Sequence, residues 1–279
     1  MRLPVSTDVC WHDGLRIAVA DATVAISDPT LQSGLGLFET LALRDGAVLD
    51  LDAHVGRLER GAQRLGLPLP AAASVRATVL AAAAGQAPVC GWIKILLSGA
   101  GTVWVLRGAM DASEEGAPAS AVLLPWRRNA HDPLAGLKTL NYAANQLGLE
   151  RARVRGADEG LWLNGRGHLA EGCASNLFVV HGKALFTPAL RDGILPGVLR
   201  ERVLGAARSL GMPVHEGKLR LPRLRRAREA FLTSSLRAVR PLVSFEGRPL
   251  GDGRPGPWTR RIAREVAGMR QYSRAADPA

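Results

Sequence analysis

The stretch LAGLKTLNYAANQ, residues 134–146, sets a lysine between an apolar Leu-Ala-Gly-Leu run and Thr-Leu-Asn-Tyr. This chain spells its cations almost entirely as arginine. Among 36 basic residues the lysines are Lys94, Lys138, Lys183 and Lys218. A lysine amine acts as nucleophile or base only after losing its proton, through burial or a neighbouring cation. Lys138 lies in an apolar connector just ahead of a helical pattern, close to the junction of two halves of the chain. That position suits an amine that captures a carbonyl group. It also fits an ordinary solvated lysine.

Other segments carry complementary chemistry. GILPGVLRERV, from residue 193, sets a glycine-rich turn at a helix start, with N–H groups at Val198 and Leu199 open to an anion. A plain helix entry reads the same way. LTSSL offers hydroxyls at Ser234 and Ser235, and Arg57 adds a positive charge from a helix. Glu171, in HLAEGCASNLFVV, is an acid just before an apolar strand, or a turn carboxylate. An amine, an acid, an anion cradle and room for a substrate are what a pyridoxal phosphate site requires.

The elements that must hold these groups follow from periodicity. RIAVADATVAI, residues 16–26, alternates like a strand, and SDPTLQSGLG is turn chemistry. LFETLALRDGAVLDL reads as a hairpin closed at Arg44-Asp45-Gly46. Asp52 is positioned to cap a helix whose Val55, Leu58, Ala62 and Leu65 share one face. A second helix is expected over 73–84, then strands in GWIKILLSG and TVWVLRG, and a polar loop over 111–120. Beyond it come the strand AVLLPW, a helix from about 141 to 156, the strand EGLWLN and a hairpin around His181-Gly182. A helix stopped by Gly211, a helical segment over 221–228, the strand EAFLTSS and a last helix over 257–270 complete the pattern. The expected fold class is α/β (α+β) in two domains, residues 1–120 and 121–279, with Lys138 in the second and the site between them. The final SRAADPA stretch is expected to be disordered.

Composition narrows the alternatives. The 279 residues are 47% hydrophobic and 22% charged, ordinary for a globular protein. The net charge of +11 fits nucleic acid, an anionic membrane or acidic small molecules as partners. KLRLPRLRRARE, 218–229, is the densest basic run, but it lacks interleaved aromatics and carries an apolar leucine face, so a solvated helix is the simpler reading. The cysteines Cys10, Cys90 and Cys173 are odd in number and widely spaced, which argues against a disulfide framework. No H-E-x-x-H, P-loop or G-x-S-x-G occurs, the histidines are dispersed, and no apolar run nears about 18 residues. The expectation is a cytoplasmic protein with no metal, membrane or nucleic-acid partner.

Taken in order, GLGLFETL, DAHVGRLERGAQRLGL, LAGLKTLNYAANQL, GADEGLWLNGRGHLAEGCASNLFVV, TPALRDGILPGVLRERVL and FLTSS resemble the class IV, or fold-type IV, pyridoxal-phosphate aminotransferases. That family includes branched-chain and D-amino-acid aminotransferases and aminodeoxychorismate lyases. The resemblance spans about residues 20–245. It implies pyridoxal 5'-phosphate as cofactor and a homodimer acting on a small anionic substrate. It casts Lys138 as the Schiff-base lysine and Glu171 as the carboxylate that keeps the pyridine nitrogen protonated. Arg57, the amides of Val198 and Leu199, and the Ser235 hydroxyl match the phosphate site. Tyr142 matches an aromatic beside the cofactor oxygen, and Asn176 lies in the matching turn.

The short chain and the spelling around Lys138 look most like aminodeoxychorismate lyase, which releases 4-aminobenzoate and pyruvate for folate synthesis. On that reading Thr40 assists protonation of the departing enolpyruvate, and Arg107 is the candidate for substrate carboxylates. The alternatives are a class IV transaminase acting on branched-chain or D-amino acids, and a non-catalytic arginine-rich nucleic-acid-binding protein.

Overall fold

The computed structural model describes residues 9–84 and 88–275. They divide into two compact units, each mixed α/β. One takes the described residues up to Ala112, the segment Leu137–Asn141 and the residues from Arg270 on; the other takes Ser113–Gly136 and Tyr142–Met269.

In the first unit β1 (Val9–His12) and β2 (Leu15–Ala18) form a hairpin, and a short helix α1 (Pro29–Ser33) follows. β3 (Gly36–Arg44) then turns into β4 (Ala47–Leu49). Asp45 and Gly46 take φ of 48° and 72°, the left-handed pair that an Asp-Gly hairpin turn requires. Next come α2 (Leu51–Leu65), α3 (Ala72–Ala83), β5 (Cys90–Ser98) and β6 (Val103–Ala109). Leu51, Val55, Leu58 and Ala62 of α2 are buried in one core with Leu37, Leu41, Ile93, Ile95 and Leu97, so the helices cover the odd-numbered face of β3 and β5. Phe38, Thr40, Lys94 and Leu96 point to the opposite face by strand alternation, and the register sets Phe38 across from Leu96 and Thr40 across from Lys94.

The second unit contains β7 (Ala119–Arg128), α4 (Ala143–Val154), β8 (Glu159–Asn164), β9 (Leu169–Gly172), β10 (Asn176–His181) and β11 (Ala184–Thr187). It continues through α5 (Val198–Ser209), β12 (Val214–Glu216), α6 (Leu221–Arg225), β13 (Glu229–Ser234), β14 (Ala238–Phe245), β15 (Arg248–Pro249) and α7 (Pro257–Met269). Its sheet runs β12-β11-β10-β13-β14-β7-β8-β9, with β15 beside β14. Phe178 and Phe231, cross-strand partners on β10 and β13, stack at 5.0 Å in its centre. The basic run at 218–229 buries Leu219 and Leu224 in this unit's core while Arg220, Arg225 and Arg226 face water.

The last strand, β16 (Tyr272–Ser273), pairs with β4 of the first unit. The buried Arg270 donates through Nε to Asp50 Oδ2 at 2.8 Å, and the Gln271 carbonyl accepts from the Asp50 amide at 2.7 Å. Removing one member of a fully buried ion pair leaves the other charge unpaired in the core. Arg270→Met is expected to destabilise the protein by roughly 3–5 kcal/mol, read as a lower denaturation midpoint in urea; an unchanged midpoint would contradict this.

Several elements depart from the sequence expectation. The strand expected over 16–26 stops at Ala18 and gives way to a turn of 3-10 helix, and the turn at 27–36 contains α1, capped by the Asp28 carboxylate. α2 starts two residues earlier than expected. Asp50 precedes it in a left-handed conformation, and the exposed Asp52 pairs instead with Arg76 at 2.6 Å. The boundary falls near Ala112, and Lys138 belongs to the first unit rather than the second. Its segment closes the open edge of β3: the Phe38 amide donates to the Lys138 carbonyl, and the Leu140 amide to the Gly36 carbonyl, both at 2.9 Å. Of the β3 residues β4 covers only Leu43 and Arg44, so the backbone groups at Gly36 and Phe38 need another partner. Gly36 is required at this edge, since a Cβ would lie 2.6 Å from both the Leu140 side chain and the Leu97 carbonyl. Residues 276–279 of the C-terminal stretch expected to be disordered lie outside the described residues.

Candidate active site

In the first unit the Lys138 Nζ sits 4.2 Å from the centroid of the Phe38 ring. Lys94 Nζ lies 5.0 Å from the same ring. Two of the chain's four lysines therefore meet at one aromatic side chain. Burial presses the Lys94 ammonium below the usual lysine value. Thr40, half-buried, is its cross-strand neighbour. Trp92, two residues before Lys94 and on its face of β5, is buried with an indole N–H that has no partner.

Arg57 belongs to the opposite, helix-covered face. Glu39 accepts from its Nε and NH2 groups, each at 2.7 Å, and from His54 Nδ1 at 2.7 Å. Burial alone would raise the Glu39 carboxyl, but the Arg57 guanidinium and then His54 outweigh it and hold the group well below the usual carboxylate range. Burial lowers His54, so the imidazole is neutral and donates from Nδ1.

Arg107 is engaged elsewhere. Its guanidinium donates to the Ala82 and Ala84 carbonyls at the end of α3 and packs 5.1 Å from the Trp11 ring. Its register partner is Ile93, which puts it on the helix-covered face, away from Thr40 and Phe38. A cation there complements the carbonyl end of the helix. The arginine expected to face the substrate thus points away from Thr40 and Phe38, whereas Lys94 lies beside Phe38.

In the second unit Glu171 lies within β9 rather than in a turn, with a side chain 5% exposed. Its Oε1 accepts from Arg128 at 2.5 Å; its Oε2 accepts from the Leu195 amide at 2.9 Å and from Asn176 Nδ2 at 3.3 Å. Arg128 also donates to Asn145 Oδ1 at 2.8 Å and stacks on Trp162 at 5.2 Å. The Tyr142 hydroxyl and Asn145 Nδ2 both donate to the Cys173 carbonyl, at 2.6 and 2.7 Å. Burial raises the Tyr142 phenol, so it remains a donor. Beneath this network the buried Glu159 holds the 173–175 turn through the Cys173 and Ala174 amides and the Ser175 hydroxyl.

The phosphate-like cradle is in the same unit. No side chain caps α5, whose first residues are Val198 and Leu199. Gly197 precedes them because a Cβ there would lie 2.1 Å from Asn176 Oδ1. Thr233 is the register partner of Asn176, so it shares the face of β10 and β13 that carries this loop; its buried hydroxyl has no partner. Ser235 follows at the end of β13. The second unit thus gathers Tyr142, Glu171, Asn176, Val198 and Leu199, and the first gathers Lys138 and Thr40.

Arg128, Asn145, Lys94, His54 and Glu39 were not singled out as site residues from the sequence. The scarcity of lysine was a usable signal for Lys94. The paired spacing of His54 and Arg57 on one helix face was another.

The chain as a whole is similar to known proteins. A family model described as amino-transferase class IV matches residues 36–245, and the chain belongs to that family. The branched-chain-amino-acid aminotransferase of Escherichia coli K12 is 28% identical, over 94% of this chain and 93% of its own length. The branched-chain-amino-acid aminotransferase of Pseudomonas aeruginosa is 26% identical over 91% and 90%. The structure of the branched-chain aminotransferase of Thermoproteus uzoniensis superposes with a TM-score of 0.85 at 28% identity, covering 94% of each chain. These relatives overturn the aminodeoxychorismate lyase reading, and Thr40 loses the role of assisting enolpyruvate departure. The spelling around Lys138 is the part of the resemblance common to both activities and does not report the substrate.

Pyridoxal 5'-phosphate is the family's cofactor, and the residues present fit it. They supply an amine at an aromatic ring, a buried carboxylate paired with Arg128, an uncapped helix start, and an unpartnered buried hydroxyl at Thr233. Among the described residues no helix is long and apolar enough to cross a membrane.

Proposed function

We propose that this protein is a transaminase that moves an amino group between a branched-chain amino acid and a 2-oxo acid, as a homodimer. The observation that carries the reading is similarity along nine-tenths of the chain to relatives named as branched-chain aminotransferases. Bound pyridoxal phosphate supplies an aldehyde for the amino group and a ring that takes up the electron pair left when the α-proton departs. Lys138 Nζ would hold the cofactor and would take and return that proton. Glu171, paired with Arg128, would accept the ring N–H. The Val198 and Leu199 amides and the Ser235 and Thr233 hydroxyls would hold the phosphate, a role that the family resemblance also gives to Arg57. Tyr142, fixed by the Cys173 carbonyl, would lie beside the ring oxygen, and Asn176 buttresses Glu171 and the loop at Leu195.

Lys94 is the cation for the carboxylate of the amino or oxo acid, and the unpartnered Trp92 N–H lies on the same strand face. A charge-assisted hydrogen bond contributes about 1.5–3 kcal/mol. Lys94→Gln should therefore raise KM for 2-oxoglutarate roughly 10- to 100-fold, with a smaller change in kcat. Equal KM values would remove Lys94 from the site.

The direct test offers leucine, isoleucine, valine and D-alanine as donors with 2-oxoglutarate as acceptor, and follows glutamate formation. Turnover with the branched-chain L-amino acids supports the reading. Turnover confined to D-alanine, or none with any donor, defeats it.

A further inference from the structure

Glu39 and His54 are fully buried polar groups that the reaction itself does not use. They come from different elements: Glu39 from β3, and His54 from α2, one helical turn ahead of Arg57. Glu39 divides its two oxygens deliberately. Oε1 takes Arg57 Nε, and Oε2 takes both Arg57 NH2 and His54 Nδ1. The guanidinium plane is thereby tied to the carboxylate plane along one edge, and the carboxylate plane is tied to a ring with no exposure to water. A long arginine side chain has many rotamers to lose, and this pairing removes that freedom before any anion arrives. Burying such ions contributes little stability relative to well-packed apolar residues of similar size. Their presence under a half-buried arginine points to orientation rather than to stability.

We propose that His54 and Glu39 are positioning residues that preset the Arg57 guanidinium for the phosphate of the cofactor. His54 fixes Glu39, Glu39 fixes Arg57, and affinity for the phosphorylated form of the cofactor depends on all three. The proposal rests on the reading of Arg57 as a phosphate contact, and the experiment separates the two.

Full-length apoprotein is titrated with pyridoxal phosphate and with pyridoxal, which lacks the phosphate, and the ratio of the two dissociation constants is the readout. A general folding defect weakens both ligands together and leaves the ratio unchanged. Arg57→Ala is expected to lower the preference for the phosphorylated form about 10- to 100-fold. Glu39→Gln and His54→Ala should each lower it about tenfold, and His54→Asn, whose amide N–H replaces Nδ1–H, should restore most of it. Glu39→Gln combined with Arg57→Ala should be no worse than Arg57→Ala alone. If Arg57→Ala collapses the preference while Glu39→Gln and His54→Ala leave it within about twofold, the positioning role is wrong and the phosphate contact stands. If Arg57→Ala leaves it unchanged, both are wrong. Should Glu39→Gln fail to fold, the His54→Ala and His54→Asn pair decides alone.

Discussion

Lys138→Ala should leave a folded protein with almost no transamination. Loss of the proton-transferring group alone removes a factor of about 10²–10⁴, and loss of the covalent tether to the cofactor adds to it. The fold should tolerate the change. The segment is held to β3 by backbone bonds at the Lys138 carbonyl and the Leu140 amide, which the substitution leaves in place. A small primary amine added to the buffer should restore part of the proton transfer, because it supplies the missing base without the chain. Steady-state assays on the variant with and without that amine test this. Activity within tenfold of the parent would remove Lys138 from its role.

Glu171→Gln is expected to have the second-largest effect. The carboxylate accepts from Arg128, Leu195 and Asn176, and an amide cannot satisfy all three donors equally. A glutamine keeps the shape but loses the charge. Its NH2 group then meets a donor, and the Arg128 guanidinium, with a side chain only 22% exposed, loses its counter-charge. Removing one preorganised electrostatic group commonly costs about 10²–10³ in kcat, and that range is expected here, with a lower melting temperature. Arg128→Gln should fall in the same direction by a smaller factor, since Glu171 keeps its backbone and Asn176 donors. Unchanged kcat in Glu171→Gln would mean that the carboxylate does not support the reaction.

Much of the local structure was legible in the sequence. The Asp45-Gly46 turn, the apolar stripe of α2, and the helix opening after Gly197 each follow from a few neighbouring residues. What escaped depends on partners far along the chain. The segment at 137–141 pairs with β3, about a hundred residues earlier, and no local pattern announces an unfilled strand edge. Arg107 faces α3 and Lys94 faces Phe38 because of the β5–β6 and β3–β5 registers, which alternation within a single strand leaves undetermined. Arg128 reaches Glu171 from 43 residues away. Asp52 looked like the helix cap, yet Asp50 sits at the helix start because its carboxylate is committed to Arg270. The choice between lyase and transaminase was the least legible. Lys138, Glu171 and the start of α5 are the residues read most directly, and they match cofactor chemistry shared by both reactions.

The sharpest test of the central assignment is to reduce the cofactor-loaded protein with borohydride and map the modified peptide by mass spectrometry. With lysines at 94, 138, 183 and 218, the site of attachment is unambiguous. The account predicts the pyridoxyl mass on the peptide containing Lys138 and on no other lysine. Its appearance on Lys94, the other ammonium beside Phe38, or its absence from position 138, would contradict the account.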